Sequence, residues 1–292
     1  MDQFLLEELQ QKLTQQEQNR YPRQQEQLDR ILGCGDLYRL LEDTNAIVAG
    51  GAITSIFSNK EINDVDVYFR KIEDMINFIK ACYGEEVCVN EEEDLWNDGL
   101  AQFALKYSGH TKKSVMFNNQ EGTQIQLIHC DFYEDCQEIF DSFDFTINMA
   151  AYDFKLKQFV LDEDFLQDLA ARRLVVNTNT SYPIISQLRI AKYKERYYHI
   201  SRKEFVKLSL AVADMVIEDW DQAAEAIGGL YGYNYDEIFD TTKDFSLEEM
   251  MDQVDKLLPN DMNGKFFNTA IDKNYLIDVI LDQHDGGSRC DG

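Results

Sequence analysis

The chain has 292 residues, with 28 lysines and arginines against 54 aspartates and glutamates, a formal net charge of −26. Apolar residues make up 44% and aromatic residues 12%, which suffices for a hydrophobic core and excludes wholesale disorder. At about 150 residues per domain, this length suits two structural units. A chain this acidic repels nucleic acid and anionic membranes at long range, so contact with either requires a local basic patch.

The sequence shows neither a membrane span nor an export signal. The longest apolar runs, such as Ile47 to Ile53, are far shorter than the ~20 residues that span a bilayer, and no basic-then-apolar stretch opens the chain. The six cysteines form no C-x-x-C pair and have no histidine at zinc-ligand spacing. We therefore expect a cytoplasmic protein with reduced thiols, no membrane partner and no disulfide partner.

The predicted elements divide the chain into four parts. Residues 1–30 are rich in Gln and Glu and predict a helical arm, used either for docking or for oligomerisation. Residues 31–180 mix strands with helices and predict an α+β head. Residues 181–281 predict helices only, and 282–292 are unpatterned and predict a flexible tail.

Within these parts, hydrophobic periodicity gives the elements in chain order. Helices are predicted at 36–43, 52–57, 73–82 and 134–140, and then at 184–201, 203–218, 221–227, 246–258 and 274–281. Strands are predicted at 46–49, 65–69, 101–107, 114–117, 123–129, 145–152 and 158–161.

A pair of aspartates on a predicted strand is the first pattern that indicates chemistry. Asp64 and Asp66 alternate with Val65 and Val67, so the two carboxylates project from one face, about 7 Å apart along the strand. Mg²⁺ commonly binds one or two carboxylates together with substrate phosphates and waters. Alone, such a pair is also typical of a solvated strand; here we interpret it as a metal site.

A glycine pair precedes this strand, between an apolar strand and a helix. Because Gly50 and Gly51 lack a Cβ, the backbone can approach a phosphate closely, and the N-terminus of the next helix favours anions. Ser55 adds a hydroxyl one turn later. Alone, a glycine pair often marks a plain turn, but its order with the aspartate strand favours a triphosphate site.

At residues 49–69 the chain resembles the nucleotidyltransferase signature of the DNA polymerase β superfamily. Residues 142–153, with Asp-Phe-Thr-Ile-Asn at their centre, are similar to the "DFTIN" strand of the tRNA nucleotidyltransferase and bacterial poly(A) polymerase family. Residues 162–174 and 187–200 are similar to the hairpin and the neck helix that follow it. The resemblance covers residues 45–201.

The resemblance implies an α+β nucleotidyltransferase palm followed by an all-helical C-terminal domain. It implies an NTP, with ATP as the first expectation, and Mg²⁺ as the cofactor. Asp64 and Asp66 would then be catalytic metal ligands, while Gly50, Gly51 and Ser55 would bind the nucleotide.

The chain also departs from the motifs that it resembles. Thr54-Ser55 replaces an arginine-aspartate pair, and Ser142-Phe143 replaces two arginines. Gln126 stands where many superfamily members carry a third carboxylate. We take Asp144 as the substitute catalytic acid, with a purely structural aspartate as the alternative. These departures argue against addition of CCA ends.

One basic segment opposes the global charge. Residues 185–207 hold seven basic and two acidic residues, with three tyrosines interleaved. Arg189 and Lys192 are our candidates for nucleotide binding, and the segment as a whole is a candidate contact for an RNA end. The alternative is a helix whose basic face pairs with the acidic C-terminal helices.

Together these patterns predict transfer of a nucleoside monophosphate from an NTP to a hydroxyl acceptor, with an RNA end slightly favoured. One alternative is a toxin-type transferase that modifies a protein or a small molecule. Another is a degenerate palm that binds a nucleotide or a partner without turnover, which Gln126 favours and the intact Asp64 and Asp66 oppose.

Overall fold

The computed structural model describes residues 20–32, 35–83, 103, 105–111, 113–227, 239–256 and 273–285. Its strands are β1 (Ile47–Ala49), β2 (Asp64–Tyr68), β3 (Leu105–His110), β4 (Ser114–Asn119), β5 (Gln124–Ile128), β6 (Ala150–Asp153), β7 (Gln158–Leu161), β8 (Arg173–Leu174) and β9 (His199–Ile200). Its helices are α1 (Pro22–Leu32), α2 (Gly35–Asp43), α3 (Gly51–Ser58), α4 (Ile72–Tyr83), α5 (Cys136–Asp141), α6 (Phe165–Ala171), α7 (Pro183–Glu195), α8 (Arg202–Ala213), α9 (Trp220–Ala226), α10 (Leu247–Lys256) and α11 (Lys273–Asp285).

Seven strands form one mixed sheet in the order β3-β4-β5-β2-β1-β6-β7. Only the β2–β5 pair is parallel, and the other neighbouring pairs are antiparallel. The short β1 is fully buried because both of its edges are paired and its apolar side chains meet cores on both faces. In chain order, the described helices beyond residue 182 come after the strands of this sheet. The predicted α+β class, with a helical C-terminal part, is confirmed.

The two faces of the sheet are covered differently, and this places the aspartates. Val65 and Val67 enter the main core, which α1, α2, α3, α4 and α11 cover. Tyr68 joins a smaller cluster with Ile139 and Phe140 of α5 on the opposite face. Because side chains alternate along a strand, Asp64 and Asp66 share this second face with Tyr68.

Both ends of the described chain pack on the head. Leu28 and Leu32 of α1 are buried in the main core, so this helix packs on the head, and residues 1–19 of the predicted arm lie outside the described residues. Pro22 begins α1, because the first turn of a helix needs no N–H from that residue. Leu276 and Ile280 bring α11 onto the same core, and the helix continues to Asp285, inside the predicted tail.

Two elements of the structure differ from the predicted ones. The strand predicted at 145–152 begins only at Ala150, because residues 146–148 form a 3₁₀ turn. The helix predicted at 184–201 ends at Glu195, and His199–Ile200 instead pairs in parallel with Arg173–Leu174. A two-residue strand carries no hydrophobic period, so the sequence did not reveal it.

Within the described residues, Cys82 and Cys136 are buried and Cys130 is partly buried. Of the described helices, none combines the length and the apolar character that crossing a membrane requires.

Candidate active site

Strand register brings the aspartate pair and the glycine turn to one end of the sheet. Asp66 lies opposite Ala49 of β1, so the turn that follows Ala49 runs beside the start of β2. On the other side of β2, Asp66 pairs with Gln126 of β5. The polar side chains of β2 and β5 and the backbone of the glycine turn therefore lie next to one another.

The two carboxylates lie close enough to repel each other. Burial raises the pKa of Asp66 to about 8, with the Asp64 charge adding to the rise. Arg189 and Lys192 act in the opposite direction but do not cancel the shift. A bound cation would relieve both the repulsion and the burial cost of the charge, so the pair favours cation binding.

Gly50 and Gly51 are glycines for different reasons. Gly50 has φ +83°, and a Cβ there would lie 3.3 Å from Cζ of Phe143, so both backbone and packing require glycine. A Cβ on Gly51 would meet nothing within 4 Å, so packing does not require glycine there. Gly51 begins α3, whose N-terminus has no side-chain cap. Its open backbone is suited to an anionic ligand.

Asp144 lies in a loop that hydrogen bonds hold in place. The carboxylate is buried; its Oδ1 accepts from Nδ2 of Asn148 at 2.8 Å, and its Oδ2 accepts from Arg189 at 3.2 Å. Thr146 in the same loop donates to the buried Asp168, which also pairs with Arg173. Each oxygen of Asp144 thus accepts a hydrogen bond, and a catalytic role for this carboxylate stays a prediction.

Helix α7 brings two cations to the aspartate pair. Desolvation lowers the pKa of the Lys192 ammonium, while the Asp64 charge opposes this shift most strongly. Arg189 also acts electrostatically on Asp66. The structure thus brings Asp64, Asp66, Arg189 and Lys192 within electrostatic reach of one another.

The remaining polar positions differ from what the motifs suggested. Nε2 of Gln126 donates to Oε1 of Gln124 at 2.6 Å. Ser55 is buried in α3, and its contact with a triphosphate stays a prediction. Within the described residues, no group of three or more His, Cys, Asp or Glu side chains is arranged for a metal ion.

The sequence analysis did not identify the hydrogen bonds that connect α3 and α7 to the loop that contains Asp144. Oγ1 of Thr54 donates to the backbone oxygen of Ile147 at 2.6 Å. The Tyr193 hydroxyl donates to Oδ1 of Asn148 at 2.9 Å. Asn148 was visible in the "DFTIN"-like motif, but its partner Tyr193 lies 45 residues away in sequence and could not be inferred.

Residues 18–172, more than half of the chain, match the Gabija anti-defense 2 family. The chain belongs to this family. A protein of Bacillus phage SPbetaL7, named Gabija anti-defense 2, is 38% identical over 250 residues. This alignment covers 85% of the present chain and 57% of the phage protein, so the chain spans little more than half of that relative.

Among solved structures, this family member is similar in fold to tRNA nucleotidyltransferases. One is a tRNA nucleotidyltransferase complexed with a primer tRNA and an incoming ATP analog, with a TM-score of 0.46 and 14% identity over 85% of this chain and 59% of that one. Another is the Thermotoga maritima CCA-adding enzyme complexed with tRNA, with a TM-score of 0.42 and 14% identity over 86% and 64% of the two chains. At these identities the likeness concerns the fold alone.

Proposed function

We propose that this Gabija anti-defense 2 family protein is a Mg²⁺-dependent nucleotidyltransferase. It would move a nucleoside monophosphate from an NTP, with ATP as the expected donor, to a hydroxyl acceptor and release pyrophosphate. The proposal rests on one arrangement: Asp64 and Asp66 lie beside the open backbone of Gly51, with Arg189 and Lys192 of α7 acting on them electrostatically.

Asp64 and Asp66 are the residues that would hold Mg²⁺. Two hard oxygen donors on one strand face fit this ion, since its other positions are commonly filled by phosphates and waters. The raised pKa of Asp66 supports the fit, because burial and the neighbouring Asp64 charge both disfavour its ionised form, which a bound cation would stabilise. When bound, Mg²⁺ stabilises negative charge on the attacked phosphate and on the leaving pyrophosphate.

The triphosphate has three sets of donors in this chain. The first backbone N–H groups of α3, beginning at Gly51, point out of an uncapped helix end. Lys192 supplies a point charge, and Arg189 a planar guanidinium that suits phosphate oxygens. Asp144 holds Arg189 in place and orients Asn148, so it serves the site through these neighbours.

In the proposed reaction the acceptor oxygen forms a bond to the α-phosphorus, and the bond from this phosphorus to the pyrophosphate oxygen breaks. The hydroxyl proton passes to solvent, since the Gln126 amide has no basic group. Orientation and preorganised charge therefore supply most of the rate.

The family name supports a biological setting for this reaction. We propose that the transfer acts as an anti-defence against Gabija, as the name of the phage relative states for that protein. The acceptor is then a hydroxyl of RNA or of a protein. Expression of the chain in cells that carry Gabija tests this setting: the wild type should abolish the defence, and the Asp64→Asn, Asp66→Asn double variant should not.

Radiolabel transfer tests the chemistry directly. We expect label from α-³²P-ATP, but not from γ-³²P-ATP, to enter an acceptor in an extract that holds RNA and protein, with Mg²⁺ required. Ribonuclease and protease treatment then identify the acceptor. The double variant is the matched control. Transfer of the γ-label would contradict the proposal, as would anti-defence activity that survives in the double variant, which favours binding without turnover.

A further inference from the structure

Two turns at the far end of α7 present an arginine and a tyrosine side by side. Arg172 ends α6, and Tyr197 follows α7. The parallel pairing of β8 with β9, and the hydrogen bond from the His199 nitrogen to the Arg172 oxygen at 2.9 Å, tie the two turns together. Cζ of Arg172 lies 5.8 Å from the centroid of the Tyr197 ring, within cation–π range.

Both residues adopt a backbone conformation that side chains other than glycine disfavour. Arg172 has φ +49° and Tyr197 has φ +67°. The strain at Tyr197 is not offset by packing, because its side chain is 75% exposed. A bulky aromatic side chain that is exposed and sits on strained backbone does not stabilise the fold. This points to a role in binding.

The surrounding charge is opposite to that of the whole protein. Residues 172–207 contain nine basic and two acidic residues, in a chain of net charge −26. Burial raises the pKa of Tyr198, and the charges of Arg172 and Arg196 oppose the rise, so both cations lie near this hydroxyl. Arg196 also acts on Lys192, which makes the basic surface continuous with the aspartate site.

We propose that Arg172 and Tyr197 form a stacking platform for single-stranded nucleic acid. Bases would stack on the tyrosine ring and the guanidinium plane, and the phosphates would lie against exposed cations such as Arg196, Arg202 and Lys203. Single strands are favoured over duplexes because only unpaired bases offer their faces. An acidic peptide would need the charge but not the exposed ring.

Lys192 lies within α7, whereas the platform lies beyond the C-terminal end of this helix. Nucleic-acid binding by the platform does not depend on the proposed transfer. Binding is therefore measurable without NTP and without metal, and the test below contains no transfer step.

Fluorescence anisotropy with labelled 12-nucleotide RNA and DNA single strands, in EDTA, tests the platform. We expect Tyr197→Gly to weaken binding roughly 5- to 150-fold, the loss of one stacked base, and to raise the melting temperature because glycine relieves the strain. Tyr197→Phe keeps the ring and should bind as the wild type does. Phe205→Ala is the matched control, since Phe205 is an exposed aromatic on α8.

Salt dependence and competitor ligands complete the test. The slope of log affinity against log salt should become shallower in Arg172→Gln, which removes one phosphate or base contact. The Asp64→Asn, Asp66→Asn variant should keep oligonucleotide binding although it loses transfer, so the two proposals fail separately. Unchanged binding in Tyr197→Gly overturns the platform. Tighter binding of a polyglutamate peptide than of either strand overturns it in favour of an acidic protein partner.

Discussion

The buried carboxylate of Asp144 lies 3.2 Å from the guanidinium of Arg189, and this ion pair joins the sheet domain to the first helix of the helical part. Arg189 also acts on Asp66, so the pair links β2 to the domain junction. The Tyr193 hydroxyl adds a second contact across the same junction through Asn148. The position of α7 relative to the aspartates therefore depends on Asp144.

We expect Asp144→Asn to weaken NTP binding more than it slows turnover of the bound nucleotide. It should also lower the free energy of unfolding by about 1–3 kcal/mol, because a buried partner of Arg189 is lost. Titration with NTP, single-turnover kinetics and denaturant unfolding measure these effects. Arg189→Gln should give a similar loss, and the double variant little more than either single one. A drop of roughly 10²–10⁴ in turnover with unchanged NTP binding would instead identify a general base.

The sequence predicted β2 and the turn before it better than it predicted the surroundings of that strand. Asp64, Asp66 and the glycine turn are adjacent in sequence and in register, so alternation and local motifs were sufficient. We predicted Asp144 as a substitute acid because no residue near it in sequence shows that Arg189, 45 residues later, donates a hydrogen bond to its Oδ2. A hydrogen bond between residues this far apart in sequence produces no periodic pattern from which it could be predicted.

Paired alanine substitutions at the glycine turn should separate folding from ligand binding. Gly50→Ala should lower the melting temperature, since φ is positive there and Phe143 lies 3.3 Å from the added carbon. Gly51→Ala should leave the melting temperature nearly unchanged but weaken NTP binding, because its methyl group projects into the open space assigned to phosphate. Thermal unfolding with and without NTP checks both. Equal NTP affinity in Gly51→Ala and the wild type would place the phosphates elsewhere.

Mg²⁺ and NTP together should raise the melting temperature more than the sum of their separate effects. Each ligand supplies what the other lacks: the cation neutralises Asp64 and Asp66, and the phosphates complete its coordination. Asp64→Asn with Asp66→Asn should abolish this synergy, whereas Asp36→Asn, an exposed carboxylate on α2, should preserve it. Synergy that persists in the double variant would move the metal site away from β2.

The raised pKa of Asp66 predicts a pH dependence of stability in the metal-free protein. The folded state keeps the proton up to about pH 8, whereas an unperturbed aspartate loses it near 3.8. The contribution of Asp66 to the free energy of unfolding therefore falls as pH rises through this interval. In EDTA, Asp66→Asn should be more stable than the wild type at pH 9, with the difference shrinking towards pH 5. A difference that is constant with pH would show that Asp66 is ionised throughout.

Gln126→Asp tests whether the site lacks a third carboxylate. Gln126 lies opposite Asp66 in the parallel β2–β5 pair and is largely buried, so a carboxylate there would add to the existing repulsion. We expect a lower melting temperature in EDTA, a larger gain with Mg²⁺ and NTP, and faster turnover. Gln126→Leu is the control, since it also loses the hydrogen bond to Gln124 but adds no charge. If Mg²⁺ stabilises Gln126→Asp no more than the wild type, residue 126 does not face the cation. If only Gln126→Asp transfers nucleotide, the wild type is a nucleotide-binding protein that has lost its chemistry.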